Sequence, residues 1–264
     1  MKKLAIIGCG AICRGVVEAI CRGIINNVEI VSLMDRDLEK CRKIVYEYGI
    51  TNVKICNSID ELLDTDPDIV LEVASPEAVR EYADKVLSRG KIFIILSSGA
   101  LIDKDFRERL IELCKKYGGK IYIPSGAICG FDGLKALSVV GIEKIIVRTR
   151  KPVKALPITG KIDKPEVIYR GPASEAVKKF PLNVNIVASI AIVTNIEPEV
   201  EVIADPDVSE NIHEIEIISK ISNVKIILKN MPSPWNPRTS YIAVFSTIFT
   251  LKQLVEENYI NVGT

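Results

Sequence analysis

One short segment near the N-terminus restricts the fold of this chain more than any other. The apolar run Leu4-Ala5-Ile6-Ile7 breaks off at Gly8-Cys9-Gly10, and Ala11-Ile12-Cys13 then opens a stretch with helical spacing. A glycine pair carries meaning in this setting, at the end of a strand and the start of a helix. Gly8 lets the chain turn tightly. Gly10 places no side chain before the helix N-terminus, where backbone N–H groups and the helix dipole attract an anion such as a pyrophosphate. The third position holds Cys13 where glycine or alanine is usual, and cysteine is small enough to keep helix and strand close.

The rhythm set there continues for some 120 residues. Short apolar runs near Leu4–Ile7, Glu29–Met34, Val53–Ile55, Ile69–Val73, Ile92–Leu96 and Lys120–Ile123 alternate with amphipathic stretches at Ala11–Ile24, Leu38–Tyr48, Ser58–Leu63, Pro76–Ser88 and Lys104–Lys116. This alternation predicts an α/β fold with an N-terminal Rossmann, doubly wound parallel sheet. Ser75-Pro76 reads as an N-cap followed by proline at the first helical position, and Gly90 as a stop after Arg89. Asp35 ends the second strand 25 residues after Gly10, where a carboxylate accepts the ribose hydroxyls of NAD; Arg36 beside it suits the 2′-phosphate of NADP. With Gly8, Gly10, Ala11 and Ile12 these form the expected cofactor site. Ala74-Ser75 and Ser98-Gly99 follow the fourth and fifth strands and point at the same crevice, although ordinary turn chemistry accounts for them equally well.

Beyond Pro124 the pattern lengthens. Strand-like runs at Lys144–Arg150, Glu199–Ile203, Ile212–Ser219 and Val224–Lys229, with helical stretches at Leu134–Val140 and Val184–Val193, predict a second α+β domain. The prolines of Met231-Pro232-Ser233-Pro234-Trp235-Asn236-Pro237 argue against regular structure there. The organisation expected is a dinucleotide domain over 1–124, a catalytic and dimerisation domain over 125–239, and a C-terminal helix within 240–264 that packs back on the first domain. Lysine and arginine total 35 against 34 aspartates and glutamates, so no net field exists to hold nucleic acid or an anionic membrane. Apolar runs fall short of a membrane span, and no signal segment is read at the start. Seven cysteines, all in the first half, fit neither a disulfide framework nor zinc-ligand spacing, which predicts reduced thiols, no metal and a cytoplasmic protein.

His213 is the sole histidine. Strand alternation puts it on one face with Ile215 and Ile217. A histidine so placed is often a packed core residue, yet a dehydrogenase moves a proton with each hydride and histidine titrates nearest neutrality. Both readings stand on sequence, as do Lys135, Arg148, Arg150 and Lys151 as holders of an anionic substrate or as solvated charges.

Several further segments carry a family likeness: Glu72-Val73-Ala74-Ser75, Ser97-Ser98-Gly99-Ala100-Leu101, Pro124-Ser125-Gly126-Ala127, Phe180-Pro181-Leu182-Asn183-Val184-Asn185, Asn211-Ile212-His213-Glu214-Ile215 and Pro232-Ser233-Pro234-Trp235-Asn236-Pro237. With these in view the chain resembles the L-aspartate dehydrogenases nearly end to end. The resemblance implies oxidation of L-aspartate with NAD or NADP to iminoaspartate, which hydrolyses to oxaloacetate and ammonia or feeds quinolinate and NAD synthesis. It implies cofactor contacts at Ala127 and at Asn183 or Asn185, an active-site role for His213, and a homodimer. Cys13 and the run Ile186-Val187-Ala188-Ser189 depart conservatively from the family pattern. The rival readings are another two-domain reductase, such as dihydrodipicolinate reductase, and a regulator that senses NAD(H) without chemistry.

Overall fold

The computed structural model describes residues 1–158, 160–180 and 185–260. They form two compact units, Met1–Pro124 with Val244–Ile260, and Ser125–Ala243. In the first unit, strands β1 (Lys2–Ile7), β2 (Val28–Met34), β3 (Lys54–Cys56), β4 (Ile69–Glu72), β5 (Ile92–Ile95) and β6 (Lys120–Tyr122) alternate with helices α1 (Ala11–Cys21), α2 (Leu38–Tyr48), α3 (Ile59–Leu63), α4 (Pro76–Ser88) and α5 (Lys104–Tyr117). Every strand pair is parallel and the order is β3-β2-β1-β4-β5-β6. The chain therefore winds outward in both directions from β1 and β4, and the carboxyl ends of these two strands flank the crevice where doubly wound sheets bind ligands.

Sequence chemistry accounts for this register. Leu4–Ile7 and all of β4 are buried, as central parallel strands covered on both faces must be. Each fully buried leucine or isoleucine contributes about 1.5–3 kcal/mol. Ser75 accepts a hydrogen bond from the Ala78 N–H and Pro76 opens α4, so that helix begins where the sequence placed it. Helix α1 stops at Cys21, short of the expected Ile24, because Gly23 turns into the left-handed region at φ +69°.

The second unit comprises α6 (Phe131–Val140), β7 (Ile142–Pro152), β8 (Glu166–Pro172), α7 (Ala173–Lys179), α8 (Asn185–Thr194), β9 (Glu199–Asp205), β10 (Asn211–Ser219), β11 (Asn223–Asn230) and the short pair β12 (Pro232–Ser233) and β13 (Asn236–Ser240). Its larger sheet has the order β11-β10-β7-β9-β8, with β7 and β9 parallel and the other neighbours antiparallel. Helix α9 (Tyr241–Val255) begins in this unit and from Val244 belongs to the first, where Lys252 Nζ donates to the Ile24 carbonyl.

Two expectations need correction. Strand β8 and helix α7 escape the sequence pattern, because β8 is an edge strand whose residues are mostly exposed and show no apolar alternation. The proline-rich segment is not irregular throughout, since β12 and β13 pair antiparallel through it. Proline is tolerated there because the pair is short, broken by a register shift, and makes few ladder bonds that need its missing N–H. Trp235 closes the hairpin edge-on against Tyr241, with ring centroids 5.9 Å apart.

Candidate active site

At the carboxyl end of β1 the glycine loop makes its tightest contact. Gly8 has φ +99°, and a Cβ there would lie 2.8 Å from the backbone of Val73 and Ala74, where the chain leaves β4. Gly10 differs: its backbone is extended, and a Cβ would meet no atom within 4 Å. Gly10 also caps α1 with no side-chain hydrogen bond, and it is exposed. The first turn of α1 therefore has no side-chain cap at Gly10, beside half-buried Ala11 and Ile12.

Asp35 stands where the sequence placed it, just past β2. Its Oδ2 accepts from the Cys9 N–H at 2.7 Å and its Oδ1 from the Asp37 N–H at 2.9 Å. Each oxygen keeps acceptor capacity for a further donor. Arg36 next to it is exposed. Beneath the loop the Sγ atoms of Cys9 and Cys41 meet at 2.9 Å, and the contact with Cys9, together with burial, pushes the Cys41 thiol up; Cys9 is also raised, chiefly through Cys13 and burial. Both remain thiols that pack the loop against α2. An open helix N-terminus, a glycine with room before it and a carboxylate at the end of β2 fit a nicotinamide dinucleotide.

The loops after β4 and β5 are tied together by a residue that sequence pattern left in a strand. Glu72 is fully buried, and its carboxylate accepts from the Ala74 N–H at 2.8 Å, the Ser97 N–H at 3.0 Å and the Ser97 hydroxyl at 2.8 Å. Desolvation raises it to about 7 against the pull of those donors. Glu72 thereby sets the spacing of Ala74 and Ser75, which are exposed and half-buried, from Ser98 and Gly99, which are buried in a short 3₁₀ turn. A carboxylate inside a strand otherwise built of Ile, Val and Leu was the available signal.

His213 lies on the inner face of the second-unit sheet with Ile215 and Ile217, 2% exposed. Its partner across the ladder is Thr149, whose Oγ1 is 3.2 Å from Nδ1. Burial, aided by the charge of Lys151, pulls the imidazole down to about 3 and keeps it neutral. The next strand brings Ala127 to the same end of the sheet: β11 pairs Leu228 with His213 and Asn230 with Asn211, and Asn230 Nδ2 donates to the Ala127 carbonyl at 2.8 Å. Asn185 starts α8, half-buried, whereas Asn183 lies outside the described residues.

A doubly wound sheet with an open helix N-terminus, joined in one chain to a second sheet carrying a buried histidine, defines a nicotinamide-dependent oxidoreductase. Residues 8–124 match the family model described as homoserine dehydrogenase, NAD binding domain, and residues 132–254 the one described as aspartate dehydrogenase, C-terminal. The chain is 38% identical to the L-aspartate dehydrogenase of Methanocaldococcus jannaschii and 40% identical to that of Methanothermobacter thermautotrophicus, over 100% of this chain and 100% and 99% of the relatives. The crystal structure of aspartate dehydrogenase from Thermotoga maritima matches 100% of both chains with a TM-score of 0.78 at 30% identity. The chain belongs to the aspartate dehydrogenase family.

Proposed function

We propose that the protein oxidises L-aspartate to iminoaspartate with NAD or NADP, the imine then hydrolysing to oxaloacetate and ammonia. The observation that carries this reading is the neutral, buried His213, hydrogen-bonded to Thr149 on the sheet whose neighbouring strand holds the Ala127 loop. Gly8, Gly10, Ala11 and Ile12 present the α1 N-terminus to the pyrophosphate, and Asp35 accepts the ribose hydroxyls. Ala74, Ser75, Ser98 and Gly99, spaced by Glu72, border the rest of the cofactor on the first unit, and the family resemblance is what supports a cofactor contact at Ala127. A bound nicotinamide ring supplies the acceptor for the hydride that leaves the substrate Cα.

His213 handles the accompanying proton. As a neutral imidazole it is a base, and in the tautomer whose Nδ1–H donates to Thr149, Nε2 presents its lone pair. It takes a proton from the substrate amine, or from the water that attacks the imine carbon. The protein is read as a cytoplasmic homodimer that pairs through the outer face of the second sheet, where Ile218 and Ile227 are exposed; light scattering that finds a monomer would exclude this. No described helix is long and apolar enough to cross a membrane. The activity is tested by following L-aspartate-dependent reduction of NAD and NADP by absorbance. Turnover with aspartate and not with other amino acids is expected, and reduction of neither cofactor by aspartate would refute the assignment.

A further inference from the structure

Two elements of the first unit meet through sulfur beneath the dinucleotide loop. Cys9 stands between Gly8 and Gly10, and Cys41 lies in the first turn of α2, the helix that follows Asp35. Their Sγ atoms are 2.9 Å apart. Packed carbon atoms keep about 3.5–4.0 Å, and sulfur is larger than carbon, so this approach is closer than apolar packing gives. A disulfide needs about 2.05 Å, which leaves less than about 1 Å to close. Cys41 is fully buried and Cys9 is 3% exposed, while Cys13 adjoins Cys9 from α1.

Of the two walls that carry these thiols, α2 is the firmer. Asp37 caps it by accepting from the Glu39 N–H, and Cys41 and Ile44 anchor it in the core. In the loop, Gly8 is pinned: its N–H donates to the Met34 carbonyl at 2.8 Å, and the Val73 and Ala74 backbone leaves it no room for a Cβ. Gly10 is not confined in this way, since nothing stands within 4 Å of where its Cβ would be. Drawing Cys9 toward Cys41 is therefore taken up on the Gly10 side. There the chain enters α1, and its first-turn N–H groups recede from a pyrophosphate held above the loop.

We propose that Cys9 and Cys41 form an oxidation site that closes to an intramolecular disulfide and thereby weakens dinucleotide binding. The oxidant is a peroxide. Cys9, the thiol with residual exposure, reacts first: its sulfur bonds to one peroxide oxygen, the O–O bond breaks, water leaves and a sulfenic acid remains. The Cys41 sulfur then attacks the Cys9 sulfur, the S–S bond forms, the S–O bond breaks and a second water leaves. The two thiols lose two electrons and two protons in all, and hydrogen peroxide becomes two waters. Neighbouring sulfurs and burial raise both thiols, so at neutral pH the attack waits for the loop to open, and it quickens as pH rises. The inference rests on the glycine loop as the pyrophosphate site.

The test uses the whole enzyme, reduced and after treatment with hydrogen peroxide. Peptide mapping by mass spectrometry should find Cys9 joined to Cys41. Fluorescence titration should then show NADH bound about 10- to 150-fold more weakly, the worth of one charge-assisted hydrogen bond to phosphate, and dithiothreitol should restore the affinity. Cys41→Ala, on α2 and outside the loop, should bind NADH as the wild type does and keep that affinity through the same treatment. Linkage supplies a second readout: in glutathione buffers, saturating NADH raises the midpoint potential of the pair by about 30 mV for each tenfold difference in affinity. Absence of a Cys9–Cys41 bond, a Cys9–Cys13 bond in its place, or a crosslinked enzyme with NADH affinity within threefold of the reduced form overturns the proposal. If Cys41→Ala does not fold, the midpoint shift in the wild type decides the matter, and an unchanged midpoint overturns it. NADH affinity of the reduced enzyme and of its Gly10→Ala variant reports separately on the loop as the cofactor site.

Discussion

Two glycines two positions apart in the first loop should fail in opposite ways when each gains a single methyl group. In Gly8→Ala the new Cβ sits at φ +99° and 2.8 Å from the Val73 and Ala74 backbone. Backbone strain of this kind costs about 1–3 kcal/mol. Forcing atoms into a packed site costs about as much again. Neither neighbour can step aside, because Val73 N–H is bonded to the Ile7 carbonyl and Ala74 N–H to Glu72. A chain of this size loses roughly 2–4 °C of melting temperature per kcal/mol, so a fall on the order of 10 °C is expected without any cofactor present. Gly10→Ala meets nothing within 4 Å in an extended backbone, and its apo stability should stay within about 1 kcal/mol of wild type. Its methyl group instead occupies the approach to the α1 N–H groups. Each charge-assisted hydrogen bond to phosphate lost there is worth about 1.5–3 kcal/mol, or roughly 10- to 150-fold in affinity. Differential scanning fluorimetry on the apo proteins and fluorescence titration with NADH separate the two. An unchanged melting point in Gly8→Ala, or NADH affinity within threefold of wild type in Gly10→Ala, would refute the division of labour.

His213→Asn should lower turnover by roughly 10²–10⁴-fold while NADH affinity holds; a lowered melting point with near-normal turnover per folded molecule would leave His213 a structural residue. Asp35→Ala should weaken NAD more than NADP, because the free 2′-hydroxyl of NAD is what the carboxylate binds; equal losses by titration would remove Asp35 from cofactor choice. Stability should also depend on pH through two buried groups of opposite sense. Glu72 is raised from 4.5 to about 7, so the folded protein holds a proton that the unfolded chain releases, and stability falls as pH climbs through that interval and levels off above it. His213 is lowered from 6.5 to about 3, so its contribution is present above 6.5 and is lost as pH falls toward 3. Denaturant midpoints across the interval should lose the Glu72 slope in Glu72→Gln, and an identical slope in both proteins would assign it elsewhere.

The doubly wound sheet was legible in the sequence because its signals are local. A strand ending in Gly8-Cys9-Gly10, a serine–proline helix start at 75–76 and a carboxylate at Asp35 each express a backbone or capping demand met within a few residues. The face shared by His213, Ile215 and Ile217 follows from alternation alone. What the sequence left open depends on partners far along the chain. Glu72 reads as an oddity in an apolar strand until the sheet order brings Ser97 to it across 25 residues. Lys151 and Arg148 are equal candidates as letters, and the pleat of β7 sends one to the buried face beside His213 and the other to a cluster of glutamates. The ladder that sets His213 against Thr149 joins residues 64 apart, and no local propensity specifies which strands become neighbours in a mixed sheet. Chain-local physics thus determined the elements of the first sheet and the glycine loop. The polar end of the second sheet was decided by tertiary pairing, because burial and opposed side chains exist only once the strands have met.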